Sequence, residues 1–270
     1  MLDELSPQGF WGPPTSSVDW CEANYAHSRY VAELFNTLSS LAIVAAGVLG
    51  LLLHRRLLER RFLACFASVA LVGIGSIAFH ATLRFELQML DELPMLYSAI
   101  IMVYILVENR VGERGPERRL GAWFPWALAA HALLVTALTA LSRGRLQFYF
   151  FQVSFGSMEL FSLSGVYLLQ RRVSAEARRL FRLGMAAYVL AILLWFTDVS
   201  ACPLLSRALP FNPELHAWWH VLVSFGFYAL LLVAAYDRLG RLGRAPSLRW
   251  YGALPVLRVA GPDARAPRHE

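Results

Sequence analysis

Apolar residues in this chain gather in long runs, neither alternating as in a half-buried strand nor confined to one stripe of a surface helix. Runs of roughly 20 residues, the length a helix needs to cross a hydrocarbon core, occupy about 34–53, 62–83, 87–107, 120–141, 146–169, 183–199 and 215–236. The third carries Asp91 and Glu92, and the sixth is short and runs into Asp198. The pattern predicts an all-α, seven-transmembrane helix bundle over 34–236, with a polar head at 1–33 and a basic, Pro-containing tail at 237–270. Buried helices of a soluble protein are the competing explanation. Seven such runs would leave almost no polar face on any helix.

Composition sharpens this picture. With 57% hydrophobic and 16% charged residues the chain is not disordered. All 25 basic residues are arginines, against 19 acids, and they lie between the apolar runs rather than on one polar face, which argues against nucleic-acid binding. Twenty of the 25 follow spans one, three, five and seven, among them Arg55, Arg56, Arg110, Arg114, Arg171, Arg172, Arg238, Arg265 and Arg268. The positive-inside rule makes that side cytosolic. The amino terminus and the even-numbered loops then face the lumen, and the carboxyl terminus the cytosol. Residues 1–33 carry Pro7, Pro13 and Pro14 and lack an apolar core, so no cleaved signal peptide is expected. On this topology Cys21 in the head and Cys202 in the last luminal loop both stand on the oxidising side. They can form a disulfide, with two free thiols as the alternative, while Cys65 falls inside span two as a small apolar residue.

Ionisable groups within a span are expensive and point to function. Span two ends with Ser76 and His80 four residues apart, on one helix face. Span three opens on Asp91 and Glu92, and span seven on His216 and His220, again four apart. Two imidazoles at that spacing are half of a zinc site, and a third from another helix completes a catalytic set with one open position. Span two runs toward the lumen and span seven away from it, so His80, His216, His220 and Asp91 all lie within roughly 10 Å of the luminal boundary. Any one of these histidines alone reads as a packing residue; the convergence in depth is what favours a ligand set. His27, His54, His131 and His269 read as structural or solvated. Glu159 and Asp198 read as structural partners for an arginine such as Arg84. In the head, Asp19, Glu22, Asn24 and Glu33, with a backbone carbonyl such as that of Trp20, offer the hard oxygen ligands that calcium takes. A solvated acidic loop is the plainer account.

These residues resemble those of the alkaline ceramidases, membrane amidases of the superfamily that includes the adiponectin and progestin receptors. The likeness runs through Asp19-Trp20-Cys21-Glu22, Ala32-Glu33-Leu34-Phe35-Asn36-Thr37, Gly73-Ile74-Gly75-Ser76, Phe79-His80-Ala81-Thr82-Leu83, Gln88-Met89-Leu90-Asp91-Glu92-Leu93-Pro94, Trp195, and His216-Ala217-Trp218-Trp219-His220. The type 3, phytoceramidase-like branch is the most similar, and residues 110–190 carry little of the signature. The resemblance implies seven helices in endoplasmic reticulum and Golgi membranes, zinc (Zn2+) held by His80, His216 and His220, calcium (Ca2+) held by Asp19, Trp20, Glu22, Asn24 and Glu33, and a Cys21–Cys202 disulfide. It also implies hydrolysis of the amide of ceramide, a membrane lipid, to a sphingoid base and a fatty acid. In that chemistry Asp91 acts as the base, with Glu92 competing, and Ser76 as a donor to the oxyanion. A receptor of the same superfamily with a structural zinc site is the rival, and the arginine map opposes its orientation. A transporter using Asp91, Glu159 and Asp198 as proton-relay acids leaves the histidines unexplained.

Overall fold

A computed structural model describes residues 9–112 and 115–259. Pro7, Arg114, Arg265, Arg268 and His269 lie outside the described residues. Seven α-helices follow in chain order: α1 Leu34–His54, α2 Arg60–Thr82, α3 Phe85–Val107, α4 Trp123–Leu141, α5 Gly144–Leu169, α6 Ala175–Ala208 and α7 Leu215–Arg241. Two short strands, β1 Val111–Gly112 and β2 Gly115–Pro116, pair after α3, and β3 Pro246–Tyr251 and β4 Leu254–Val259 form an antiparallel hairpin after α7. The protein is mostly helical. All these helices except α5 are long and apolar enough to cross a membrane; α5 has 26 residues, but Arg145, Gln147, Gln152 and Glu159 interrupt its apolar character.

Neighbouring helices run up and down, so the head, the end of α2 and the starts of α3, α5 and α7 share one end of the bundle. Head and helices are tied by backbone bonds there: Ala32 N–H to the Ala81 carbonyl at 2.9 Å and Glu33 N–H to the His80 carbonyl at 3.0 Å. The first turn of α1 gets its cap from a distance, since the Glu22 carboxylate accepts from Phe35 N–H at 2.7 Å and Asn36 N–H at 2.9 Å. α2 stops where Leu83 takes a left-handed conformation, φ 52°. α2 and α3 touch backbone to backbone at Gly75, where a Cβ would stand 2.1 Å from the Leu90 carbonyl oxygen. No larger residue fits there, and Ser76 and Asp91, the residues next to this contact, both line one cavity.

Four features differ from the sequence expectation. α6 covers 34 residues, beyond 183–199 at both ends: Arg178, Arg179 and Arg182 end the apolar run without ending the helix on one side, and the helix continues past Asp198 to Ala208 on the other. Cys202 therefore lies inside α6 rather than in a loop, and it is bonded to Cys21 with Cα atoms 5.5 Å apart. Cys65 is buried and free. Glu159 and Asp198 do not pair with Arg84: Tyr188 Oη donates to Glu159 Oε2 at 2.5 Å, and Cys21 N–H donates to Asp198 Oδ2 at 3.2 Å. Residues 237–259 of the tail are structured, since α7 continues to Arg241 and the β3–β4 hairpin buries Leu248, Val256 and Leu257. His54, at the end of α1, receives Leu257 N–H on Nε2 at 3.1 Å. Arg238 binds Glu59 at 2.8 Å across this arginine-rich end.

Candidate active site

α2 contributes His80 from its last turn, and α7 contributes His216 and His220 from its first two turns. Burial of the three is nearly complete, at 4% exposure or less. One ring nitrogen from each lies within 4.8 Å of the others, and ring centroids stand 4.6 to 5.2 Å apart. Two rings are oriented by hydrogen bonds: His80 Nδ1 is 2.5 Å from Glu33 Oε2, and His220 Nδ1 is 2.8 Å from Ser39 Oγ. With each Nδ1 so engaged, each Nε2 is left for the shared point. His216 differs: its Nδ1 is buried without a hydrogen-bond partner.

Ser76 Oγ sits 2.9 Å from Ser40 Oγ, one turn before His80. Asp91 and Glu92 both face the same cavity but differ in freedom. Gln88 Nε2 donates to Glu92 Oε1 at 2.8 Å and Gln147 Nε2 donates to its other oxygen, so both Glu92 oxygens are held. Among the described residues no group hydrogen-bonds the Asp91 carboxyl. The cavity itself, about 360 Å³, descends from Trp20, His216 and His220 between walls of Ile43, Val72, Phe155, Leu163, Trp195 and Phe227 to Glu159 and Tyr188. Its lining is mostly apolar, on the scale of a small-ligand pocket.

The head packs its acids behind the histidines. Asn24 Nδ2 donates to Asp19 Oδ1 at 3.0 Å, Trp20 N–H donates to Glu33 Oε1 at 3.3 Å, and Glu22 caps α1 as described. Asn24 Oδ1 is buried without a partner, as is Glu214 Oε2. Among the described residues no arginine pairs with these acids. Burial, with Asp19 and Asp198 adding repulsion, pushes Glu33 up to about 8. Burial also raises Glu22, with Glu33 adding to it, and takes Glu214 to about 7, with Glu22 and Asp198 contributing. The donor atoms of these acids do not converge as tightly as the imidazoles, which are the only set of three or more His, Cys, Asp or Glu side chains that does so among the described residues.

Sequence reasoning missed Ser39, Gln88 and Gln147 as supporting residues. The signal for Ser39 was its place in Asn36-Thr37-Leu38-Ser39-Ser40, a polar break early in an apolar span. Gln88 was legible as the residue four before Glu92, and Gln147 only from three dimensions.

A buried imidazole cluster beside a mostly apolar cavity, in a chain whose described residues include six helices long and apolar enough to cross a membrane, suits a largely apolar ligand. The chain belongs to the ceramidase family, whose profile matches residues 12–258. It is 32% identical over 268 residues to alkaline ceramidase 3 of Mus musculus, covering 95% of this chain and 97% of that protein. The alkaline ceramidase of Arabidopsis thaliana is 30% identical over 269 residues, covering 98% and 100%. An alkaline ceramidase of Saccharomyces cerevisiae is 29% identical over 288 residues, covering 95% and 91%. The resemblance to alkaline ceramidases drawn from the motifs therefore holds along nearly the whole chain.

Proposed function

We propose that the protein is a zinc-dependent intramembrane amidase that hydrolyses the amide of ceramide, releasing a sphingoid base and a free fatty acid. The observation that carries this reading is the meeting of His80, His216 and His220 beside an apolar cavity that His216 and His220 line, in a chain matched over nearly its whole length by alkaline ceramidases.

The residues present suit zinc on three grounds. They are three imidazoles, the set typical of a hydrolytic site with one open position; two carry the hydrogen bonds on the second nitrogen that fix ring and tautomer in such sites; and the His216 Nδ1 is otherwise an orphaned buried atom. When bound there, zinc supplies Lewis-acid polarisation of a carbonyl and lowers the pKa of water to about 7. Asp91 Oδ, free of other partners, accepts the proton of the attacking water and returns it to the leaving nitrogen as the C–N bond breaks. Ser76 Oγ donates to the carbonyl oxygen as it gains charge, a contribution of about 3 kcal/mol for one such donor. Glu92, fixed by two amides, holds α3 to α5 and leaves the base role to Asp91. Phe155, Leu163 and Phe227 take up the hydrocarbon chains and exclude water.

Calcium in the head, held by Asp19, the Trp20 carbonyl, Glu22, Asn24 and Glu33, is proposed as a brace. Among the described residues no arginine pairs with these carboxylates, and the partnerless Asn24 Oδ1 supports the reading as well. All seven helices cross the membrane in this reading, α5 included because its polar residues turn inward at Gln147 and Glu159. In this reading the head lies in the lumen of the endoplasmic reticulum or Golgi and the tail in the cytosol, an orientation that the distribution of arginines supports. Head, bundle and tail form one working unit. Incubating purified protein with defined ceramides, with and without chelator, tests the function: sphingoid base should appear and should vanish when zinc is stripped. No release from any ceramide, with zinc bound, would refute it.

A further inference from the structure

His80 has Glu33 and His220 has Ser39, yet His216 has no hydrogen bond to hold its ring. What touches it instead is Trp20. The indole lies over the imidazole with centroids 3.6 Å apart and planes 18° from parallel. Its other contacts fix it: the Trp195 ring meets it edge-on at 6.5 Å, and its backbone N–H is anchored on Glu33. The next residue, Cys21, is bonded to Cys202 and donates to Asp198. An imidazole carrying a cation on one nitrogen is electron-poor, and indole is the best aromatic face for such a charge.

We infer that the Trp20 side chain is the positioning residue of His216, holding that imidazole by stacking where its two neighbours are held by hydrogen bonds. The inference rests on reading the three histidines as zinc ligands, and it is separate from any use of the Trp20 carbonyl toward calcium. All three rings are then oriented from residues 20–39, so the head and the first two turns of α1 together act as the jig of the site.

The test uses the full chain in detergent and three readouts: zinc affinity by chelator competition, the visible absorption band of cobalt as a stand-in for zinc, and the shift in melting temperature on adding calcium. Trp20→Leu should weaken zinc binding by about 10- to 100-fold, as loss of a ligand's orienting partner does, and move the cobalt band. Trp20→Phe, which keeps an aromatic face, should restore most of both. Both variants keep the backbone carbonyl and should keep the calcium shift. Unchanged zinc affinity and cobalt band in Trp20→Leu would overturn the inference, and so would Trp20→Phe binding as weakly as Trp20→Leu, which would assign the loss to head packing. Fluorinated tryptophans at position 20 preserve shape and guard against misfolding of the leucine variant. Affinity should fall stepwise with ring fluorination, and a flat series would overturn the inference. A wild-type chain that takes up neither ion refutes the ligand reading itself, a result recognisable because the unmutated protein fails.

Discussion

Glu33 and His80 form a fully buried pair, Oε2 to Nδ1 at 2.5 Å, joining the head to the histidine cluster. The same carboxylate accepts Asn36 Nδ2 at 3.1 Å and Trp20 N–H through its other oxygen. One side chain thus belongs to both proposed metal sites. Glu33→Ala is expected to lower zinc affinity by about 10- to 100-fold and also to weaken the response to calcium, measured by chelator competition and by melting with and without calcium. Loss of one response with the other intact would show that the sites are not joined through this residue.

Asp91 and Glu92 are adjacent in sequence and opposite in situation, one free and one held by Gln88 and Gln147. Asp91→Asn should reduce kcat by at least about 100-fold, the usual effect of losing a general base, with bound zinc unchanged. Glu92→Gln turns an amide donor against two amide donors and should cost about 1–3 kcal/mol of stability, with a smaller loss of kcat. Melting curves and steady-state rates on both variants distinguish the two; the reverse assignment would make Glu92 the base.

Cys21 and Cys202 are 181 residues apart and bonded, and the remaining cysteine is buried. Denatured, unreduced protein should therefore show one reactive thiol, and the native protein none. Cys202→Ser should lower stability by about 2–4 kcal/mol, typical for a native disulfide. Thiol counting and thermal melts check both numbers.

Glu33 stands at about 8 in the folded chain against 4.5 ordinarily. Between those values the folded state keeps a proton that the unfolded chain has lost, so the cation-free protein loses stability as pH rises from about 4.5 to 8. Glu22 and Glu214 shift in the same direction. Melting temperature in chelator should fall from pH 5.5 to 8, and calcium should flatten the slope. Equal slopes with and without calcium would count against a cation among these acids.

Much of this was legible because membrane helices and buried histidines leave strong marks. Runs at 34–53 and 62–83 match α1 and α2 within two residues, and the i, i+4 spacing of His216 and His220 marks two of the three rings of the cluster. Other features left weaker marks. Hydropathy stops at Arg182 while helix propensity does not, so the apolar run is shorter than α6. The β3–β4 hairpin lies within a basic segment whose charge masks it, and Gly252 between two short apolar segments is its one local signal. Stacking of Trp20 on His216 and the clamp of Gln147 on Glu92 join residues 196 and 55 positions apart, a distance across which local pattern carries no information.

X-ray absorption at the zinc K-edge of purified, active protein addresses the central claim most directly. Three imidazole nitrogens and one oxygen at about 2.0–2.1 Å are expected, with the signal lost in His216→Ala. Active protein without zinc, or zinc in a different ligand set, would contradict the account.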